Sequence, residues 1–317
     1  MIRKMILGAL VLGFFATSCS NDDDTPQPTT AKLTLNLNGL EDLGSDFSYE
    51  GWVIVDGSPV STGVFNVNTN GDFPQTEFDV DISNLNDATA YVLTIEPNPD
   101  SDPKPSAVHI LAGDFSGDSA SLTIDHPTAI GTDFTDATAI YVLRAPTDDG
   151  NATNNFEAGV WWFRNESGET LDCCTNLPEL PEGWNYEGWA VVNGIPLSTG
   201  IFADGEVGGV ERRDSYSDRD VTNNADPSLA TGFNGNAVAG PNYPGEDFIN
   251  NLPDGVDSPV DLKGKTIVVT VEPFPDTAPT PFTLKILVDI VPEDAGLEDF
   301  VMDNNAAATN PTGSASR

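Results

Sequence analysis

Tyr49 to Phe65 reads YEGWVIVDGSPVSTGVF, and Tyr186 to Phe202 reads YEGWAVVNGIPLSTGIF, almost the same sentence 137 residues later with no gap. Two copies this alike mean an internal duplication, which sets the number of structural units before any other argument. Each copy reads as a β-hairpin. In the first, an apolar run from Tyr49 to Val55 leads into Asp56-Gly57-Ser58-Pro59, where Gly supplies positive φ and Pro a preset φ. The second copy turns at Asn193-Gly194, a stronger hairpin signal. Trp52 and Trp189 hold equivalent strand positions and read as inward-facing core. Glu50 and Glu187, each between Tyr and Gly, read as outward residues or partners of local backbone.

A second block repeats downstream. Val92 to Pro105 reads VLTIEPNPDSDPKP and Val268 to Pro281 reads VVTVEPFPDTAPTP, sharing EPxPDxxPxP. Prolines at this density lack the donors a central strand needs, so each block reads as a strand followed by a stiff extended loop. His109-Ile110-Leu111 and Lys285-Ile286-Leu287 start the return strands. Glu50 to Glu96 spans 46 residues and Glu187 to Glu272 spans 85, so copy two holds 39 extra residues within 204–255. This insert contains Arg212, Arg213 and Arg219 beside Tyr216, a candidate for holding a carboxylate or phosphate of a partner.

Alternation marks further strands at Leu33 to Asn38, at Phe78, Val80 and Ile82, and between the copies at Leu122 and Ile124, Tyr141 to Leu143 and Gly159 to Phe163. No long helix is visible, so the class is all-β: two tandem Ig-like β-sandwich domains. The expected division is 31–165, with 118–165 as junction strands, and 166–303 with the insert 204–255. The tail 304–317, NNAAATNPTGSASR, reads as disordered.

The first residues address the chain. Arg3 and Lys4 precede an apolar run from Met5 to Phe15, a signal-peptide core too short to span a bilayer. Small residues directly before Cys19 resemble a bacterial lipobox, which implies cleavage after residue 18 and lipid on Cys19. A polar tether, 19–30, follows. Its Asp22-Asp23-Asp24 resembles the export signal that sends lipoproteins of the Bacteroidetes to the cell surface. The expected location is the outer membrane, lipid-anchored and exposed.

Charge bounds the partners. There are 13 Lys and Arg against 50 Asp and Glu, a net charge of −37. Such a field excludes nucleic acid and repels anionic headgroups, while favouring solubility and basic partners. With Cys19 set aside, Cys173 and Cys174 are adjacent and form no disulfide framework, and His109 and His126 are the only histidines. Asn66, Asn68, Asn70 and Glu77 follow calcium-loop spacing, although an Asn in first position weakens the site. Asp148, Asp149, Asn151 and Glu157 form a second possible cation cluster. No nucleophile elbow, zinc motif or phosphate loop appears, so no enzyme is expected.

Tyr49, Gly51, Trp52, Val55, Gly57, Pro59, Gly63, Phe65, Glu96 and Pro97 resemble the extracytoplasmic C-terminal domain of anti-sigma-K factors. Tyr186, Gly188, Trp189, Val192, Gly194, Pro196, Gly200, Phe202, Glu272 and Pro273 repeat the pattern. The resemblance implies a small sensory or ligand-binding β-sandwich outside the cytoplasm. In that family a transmembrane helix joins this domain to a cytoplasmic sigma-binding segment. This sequence shows neither, so direct sigma-factor inhibition is not expected. The reading is a non-catalytic surface lipoprotein that binds an extracytoplasmic protein or glycan. The alternatives are a structural adhesin or a glycan-binding or glycan-active accessory, the last suggested by Trp161, Trp162 and Trp184.

Overall fold

The computed structural model describes residues 28–145, 154–162, 176–202, 216, 245–275 and 278–317. The signal peptide, Cys19, Cys173, Cys174, Asp148, Asp149, Asn151, Arg212, Arg213 and Arg219 lie outside them. The described chain is mostly β, arranged in three antiparallel sheets.

The first motif copy builds β1 (Thr30–Asn38), β2 (Phe47–Val55), β3 (Ser58–Phe65), β4 (Glu77–Asp81), β5 (Ala90–Pro97), β6 (His109–Ser116) and β7 (Ser119–Leu122). They lie in one eight-stranded sheet of order β3-β2-β5-β6-β7-β17-β1-β4, where β17 is Thr312–Ser316. The sheet curls until its two ends nearly meet, closing a barrel rather than the expected two-sheet sandwich. Phe65 and Phe78 face each other across that seam with ring centroids 5.7 Å apart, and Phe73 packs on Phe65 at 4.5 Å. The β4 alternation stops one residue early: Ile82 opens a short helix, α1 (Ile82–Asp87), because the Asp81 carboxylate caps the Ser83 N–H at 2.8 Å.

The tail expected to be disordered is ordered. Asp303–Asn304 (β16) pairs with β14 (Lys285–Ile290), and α2 (Ala306–Thr309) packs against β14. The chain then returns to the first sheet, where β17 pairs with both β1 and β7. Its composition hid it, because the strand has no large apolar residue. Small ones are what fit: Ala315 is fully buried, and a methyl on Gly313 would lie 2.6 Å from Leu37.

The junction strands divide between the two units. While β7 stays in the first sheet, β8 (Ile140–Leu143) and β9 (Gly159–Trp161) join β12 (Gly245–Asp247) and β15 (Asp299–Val301) in a four-stranded sheet. The second motif copy forms β10 (Trp184–Val192), β11 (Ile195–Phe202), β13 (Thr266–Pro273) and β14, in the order β11-β10-β13-β14-β16. These two sheets share a core that includes Tyr141, Leu143 and Val160 on one side and Tyr186, Ala190 and Val269 on the other. Part of the expected insert is thus sandwich: β12 pairs with β9, and Tyr216 packs on Phe248 with centroids 5.6 Å apart.

The duplication holds in three dimensions. Order β3-β2-β5-β6 repeats as β11-β10-β13-β14. Register slips fall at equivalent places, after Gly51 and Gly188 and after Leu93 and Val269. Asp56-Gly57 and Asn193-Gly194 each place two successive residues at positive φ, the turn that suits the twist of a two-residue hairpin.

Candidate functional site

Both faces of β2 are buried, so its alternation separates two environments rather than core from water. Tyr49 and Val53 enter the main core. Trp52 lies on the opposite face, in a small cluster with Val92, Ala112 and Ala129. Trp52 is buried core, as expected, but in this second cluster, under the segment that carries Ala129.

A line of buried polar groups runs along this second face. The Trp52 indole N–H donates to Thr94 Oγ1 at 2.9 Å, and the Thr94 hydroxyl donates to Glu96. Glu96 accepts the Ser106 N–H on both oxygens, at 2.9 and 3.1 Å. Beside them the Ser61 hydroxyl donates to Glu50. Copy two repeats each bond. Trp189 donates to Thr270 at 2.9 Å, Thr270 to Glu272, and Ser198 to Glu187; Glu272 accepts the Phe282 N–H at 2.9 Å. Glu50, Glu96, Glu187 and Glu272 are all buried. The outward reading of Glu50 and Glu187 is overturned, because a serine hydroxyl from the neighbouring strand meets each one.

This wiring explains the motif letters. Tyr49 Oη donates to the Glu41 carbonyl at 3.0 Å, and Tyr186 Oη to the Pro178 carbonyl at 2.6 Å, each eight residues upstream. Gly51 leaves room for Tyr91 Oη, which would lie 2.0 Å from a methyl there. Gly188 leaves the same room for Trp162, whose indole N–H donates to Thr199 at 3.1 Å. The EP glutamate takes the first free N–H after the proline loop and so fixes where that loop re-enters the sheet. Burial raises the Glu96 pKa above its ordinary value; Thr94 and the Ser106 N–H oppose the shift, and Asp100 and Glu50 add to it.

Between the two EP loops is a cleft of about 530 Å³. The first unit contributes the loop from Glu41 to Phe47, with Ile95, Pro97 and Ser106 to Val108. The second contributes Glu272 to Pro275, Ala278 to Thr280 and Phe282. The two units also touch directly. The Thr283 hydroxyl donates to the Gly39 carbonyl at 3.1 Å, and Gly183 abuts the Ala107 backbone too closely for any side chain.

The other sequence candidates fall elsewhere. Asn68 Oδ1 accepts the N–H groups of Asn70 and Asp72, so it serves the loop's own turn, and Glu77 is exposed on β4. Among the described residues no group of three His, Cys, Asp or Glu is placed to hold a metal. His109 Nδ1 lies 2.7 Å from the Thr128 carbonyl, and His126 faces Asp114 at 3.6 Å. All five tryptophans are buried, so none offers a face to a sugar. Ser61 and Thr94, with their counterparts Ser198 and Thr270, were missed, although Ser and Thr at the same strand positions in both copies were a readable signal.

A family model described as anti-sigma-K factor RskA, C-terminal, matches residues 25–110. Residues 25–110 are an anti-sigma-K C-terminal domain. Domains of this kind are typically extracytoplasmic and non-catalytic. The matched span holds β1 to β5, the first EP loop and the start of β6. No curated protein and no solved structure matches the chain.

Proposed function

We propose that this protein is a non-catalytic lipoprotein of the cell envelope that binds or senses an extracytoplasmic ligand through a doubled anti-sigma-K-like scaffold. Lipid on Cys19 holds it at the outer membrane, and Asp22-Asp23-Asp24 directs it to the cell surface. The match over residues 25–110 carries the reading. The identical strand order, register slips and Trp–Thr–Glu bonds of the second copy extend it. Arg212, Arg213 and Arg219 in the insert are candidates for a partner contact.

The test is metabolic labelling with radioactive palmitate, followed by protease shaving of intact cells. The full chain should take up label and be cut from outside, and Cys19→Ser should do neither. An unlabelled wild-type chain recovered in soluble form would refute the anchor. For the partner, envelope extract is passed over the chain and over a variant that lacks residues 217–244 and carries Arg212→Ser and Arg213→Ser, which removes all three arginines while keeping Tyr216 and β12. Equal capture by both would remove the insert from the function.

A further inference from the structure

We propose that the cleft between the two EP loops binds a basic peptide segment of a partner protein, which buries an apolar side chain and sets a lysine or arginine against the acidic rim. The proposal rests on the binding function above and names the chemistry of its ligand.

Size, wall and charge converge on this. At about 530 Å³ the cleft lies within the range of specific ligand sites, which is about 300–1,000 Å³. Its walls are apolar from both sides: Leu43, Phe47 and Val108 from the first unit, Phe274, Pro279 and Phe282 from the second. Phe274 is 46% exposed, an aromatic surface left in water at the mouth, whereas Phe282 is buried.

The charge has one sign. Glu41, Asp42 and Asp46 line the cleft from the β1–β2 loop, Glu272 is buried on the opposite side, and among the described residues no Lys or Arg lines it. Asp42 and Asp46 are exposed. The Asp42 Oδ1 acceptor is engaged by the Gly44 N–H at 2.9 Å and that of Asp46 by Ser45 at 2.8 Å, which orders the loop while leaving the charge facing water. With the whole chain at −37, a basic partner is also steered toward it. A purely apolar ligand would leave the rim unused, and a simple cation would leave the walls wet. A peptide with both groups a few residues apart uses both.

The site is framed by the two features found in both copies. Glu96 and Glu272 fix the ends of the two loops through the Ser106 and Phe282 N–H groups, and Ser106 and Phe282 are themselves lining residues. The duplication thereby supplies two rigid loop bases to one shared cleft.

The experiment is fluorescence anisotropy on the continuous chain, residues 28–317, with labelled Gly-Lys-Phe-Leu-Lys-Gly and its counterpart carrying Glu for Lys. The basic peptide should bind at least about tenfold more tightly than the acidic one, with affinity falling as salt rises. Asp42→Asn with Asp46→Asn should weaken it about tenfold through the lost charges. Phe274→Ser should weaken it by a similar factor through lost apolar contact. Urea midpoints establish that each variant is folded. Equal binding of both peptides overturns the proposal. So does basic-peptide binding that folded cleft variants leave unchanged, which would be diffuse attraction to an acidic protein. A chain that labels with palmitate yet gives a flat titration sinks the cleft and leaves the lipoprotein reading standing. Tight binding by an unlipidated chain does the reverse.

Discussion

Replacing Gly51 with alanine should be far more costly than a strand Gly→Ala change normally is. In an ordinary strand alanine gains roughly 0.5–1 kcal/mol over glycine. Here the new methyl would lie 2.0 Å from Tyr91 Oη, 2.6 Å from Thr62 Oγ1 and 2.9 Å from Tyr91 Cζ. Comfortable contact is about 3.5 Å, so the hydroxyl must retreat by roughly 1.5 Å. Tyr91 is fully buried in the main core and has nowhere open to go. Overpacking costs typically about 1–3 kcal/mol, and a clash with a rigid ring sits at the upper end. After the alanine gain is deducted, a net loss of about 2 kcal/mol is expected. Tyr91→Phe alone should be nearly neutral, because the buried Tyr91 hydroxyl has no hydrogen-bond partner to lose. The double variant should recover part of the loss, because Oη is gone while Cζ still crowds the methyl. The two changes should therefore be non-additive by about 1 kcal/mol or more. The assay is urea unfolding of residues 28–317 followed by tryptophan fluorescence. Gly51→Ala within about 0.5 kcal/mol of the parent, or strict additivity in the cycle, would refute the packing argument.

Other consequences of the same wiring can be measured. Thr94→Val removes the partner of the Trp52 indole and one partner of Glu96, and should cost about 2–3 kcal/mol, with Thr270→Val similar in copy two; a neutral result at either site would separate the copies. Because the Glu96 pKa is raised on folding, the folded state holds this proton more tightly than the unfolded one. Stability from this group is thus present below the ordinary carboxylate pKa and is lost as pH rises through the raised value. Urea midpoints from about pH 4.5 to 7.5 should fall less for Glu96→Gln than for the parent, and parallel curves would contradict the burial effect. Ala315→Asp places a charge in a fully buried position of β17 and should destabilise the first sheet by more than about 3 kcal/mol, whereas a disordered tail would register nothing.

The hairpins were legible because their turn chemistry is local. Asp56-Gly57 and Asn193-Gly194 demand positive φ wherever they occur, and the duplicated text fixes both at once. What the alternation left undecided was which side of each strand is the core. With β2 and β10 covered on both faces, Trp52 and Glu50 share one buried face, and a pattern rule reads the first as core and the second as surface. The return of β17 to the first sheet was hidden for a different reason. Thr312 to Ser316 contributes small residues to a tight fit, so it carries none of the hydrophobic signal by which strands are recognised. β12 was hidden likewise: its Glu246 and Asp247 are buried polar residues, and Asp247 accepts the Trp161 indole N–H at 2.7 Å. As for the cleft, its lining comes from three segments separated by 48 residues or more, and only the closed fold brings them together.

The central claim is that the two motif copies build the same hydrogen-bonded unit, and indole N–H exchange tests it directly. In protein labelled with nitrogen-15 tryptophan, the Trp52 and Trp189 indole signals should both exchange slowly with deuterium. Thr94→Val should accelerate only the first, and Thr270→Val only the second. Rapid exchange of either indole in the parent protein, or a single threonine variant that releases both, would contradict two equivalent and independent units.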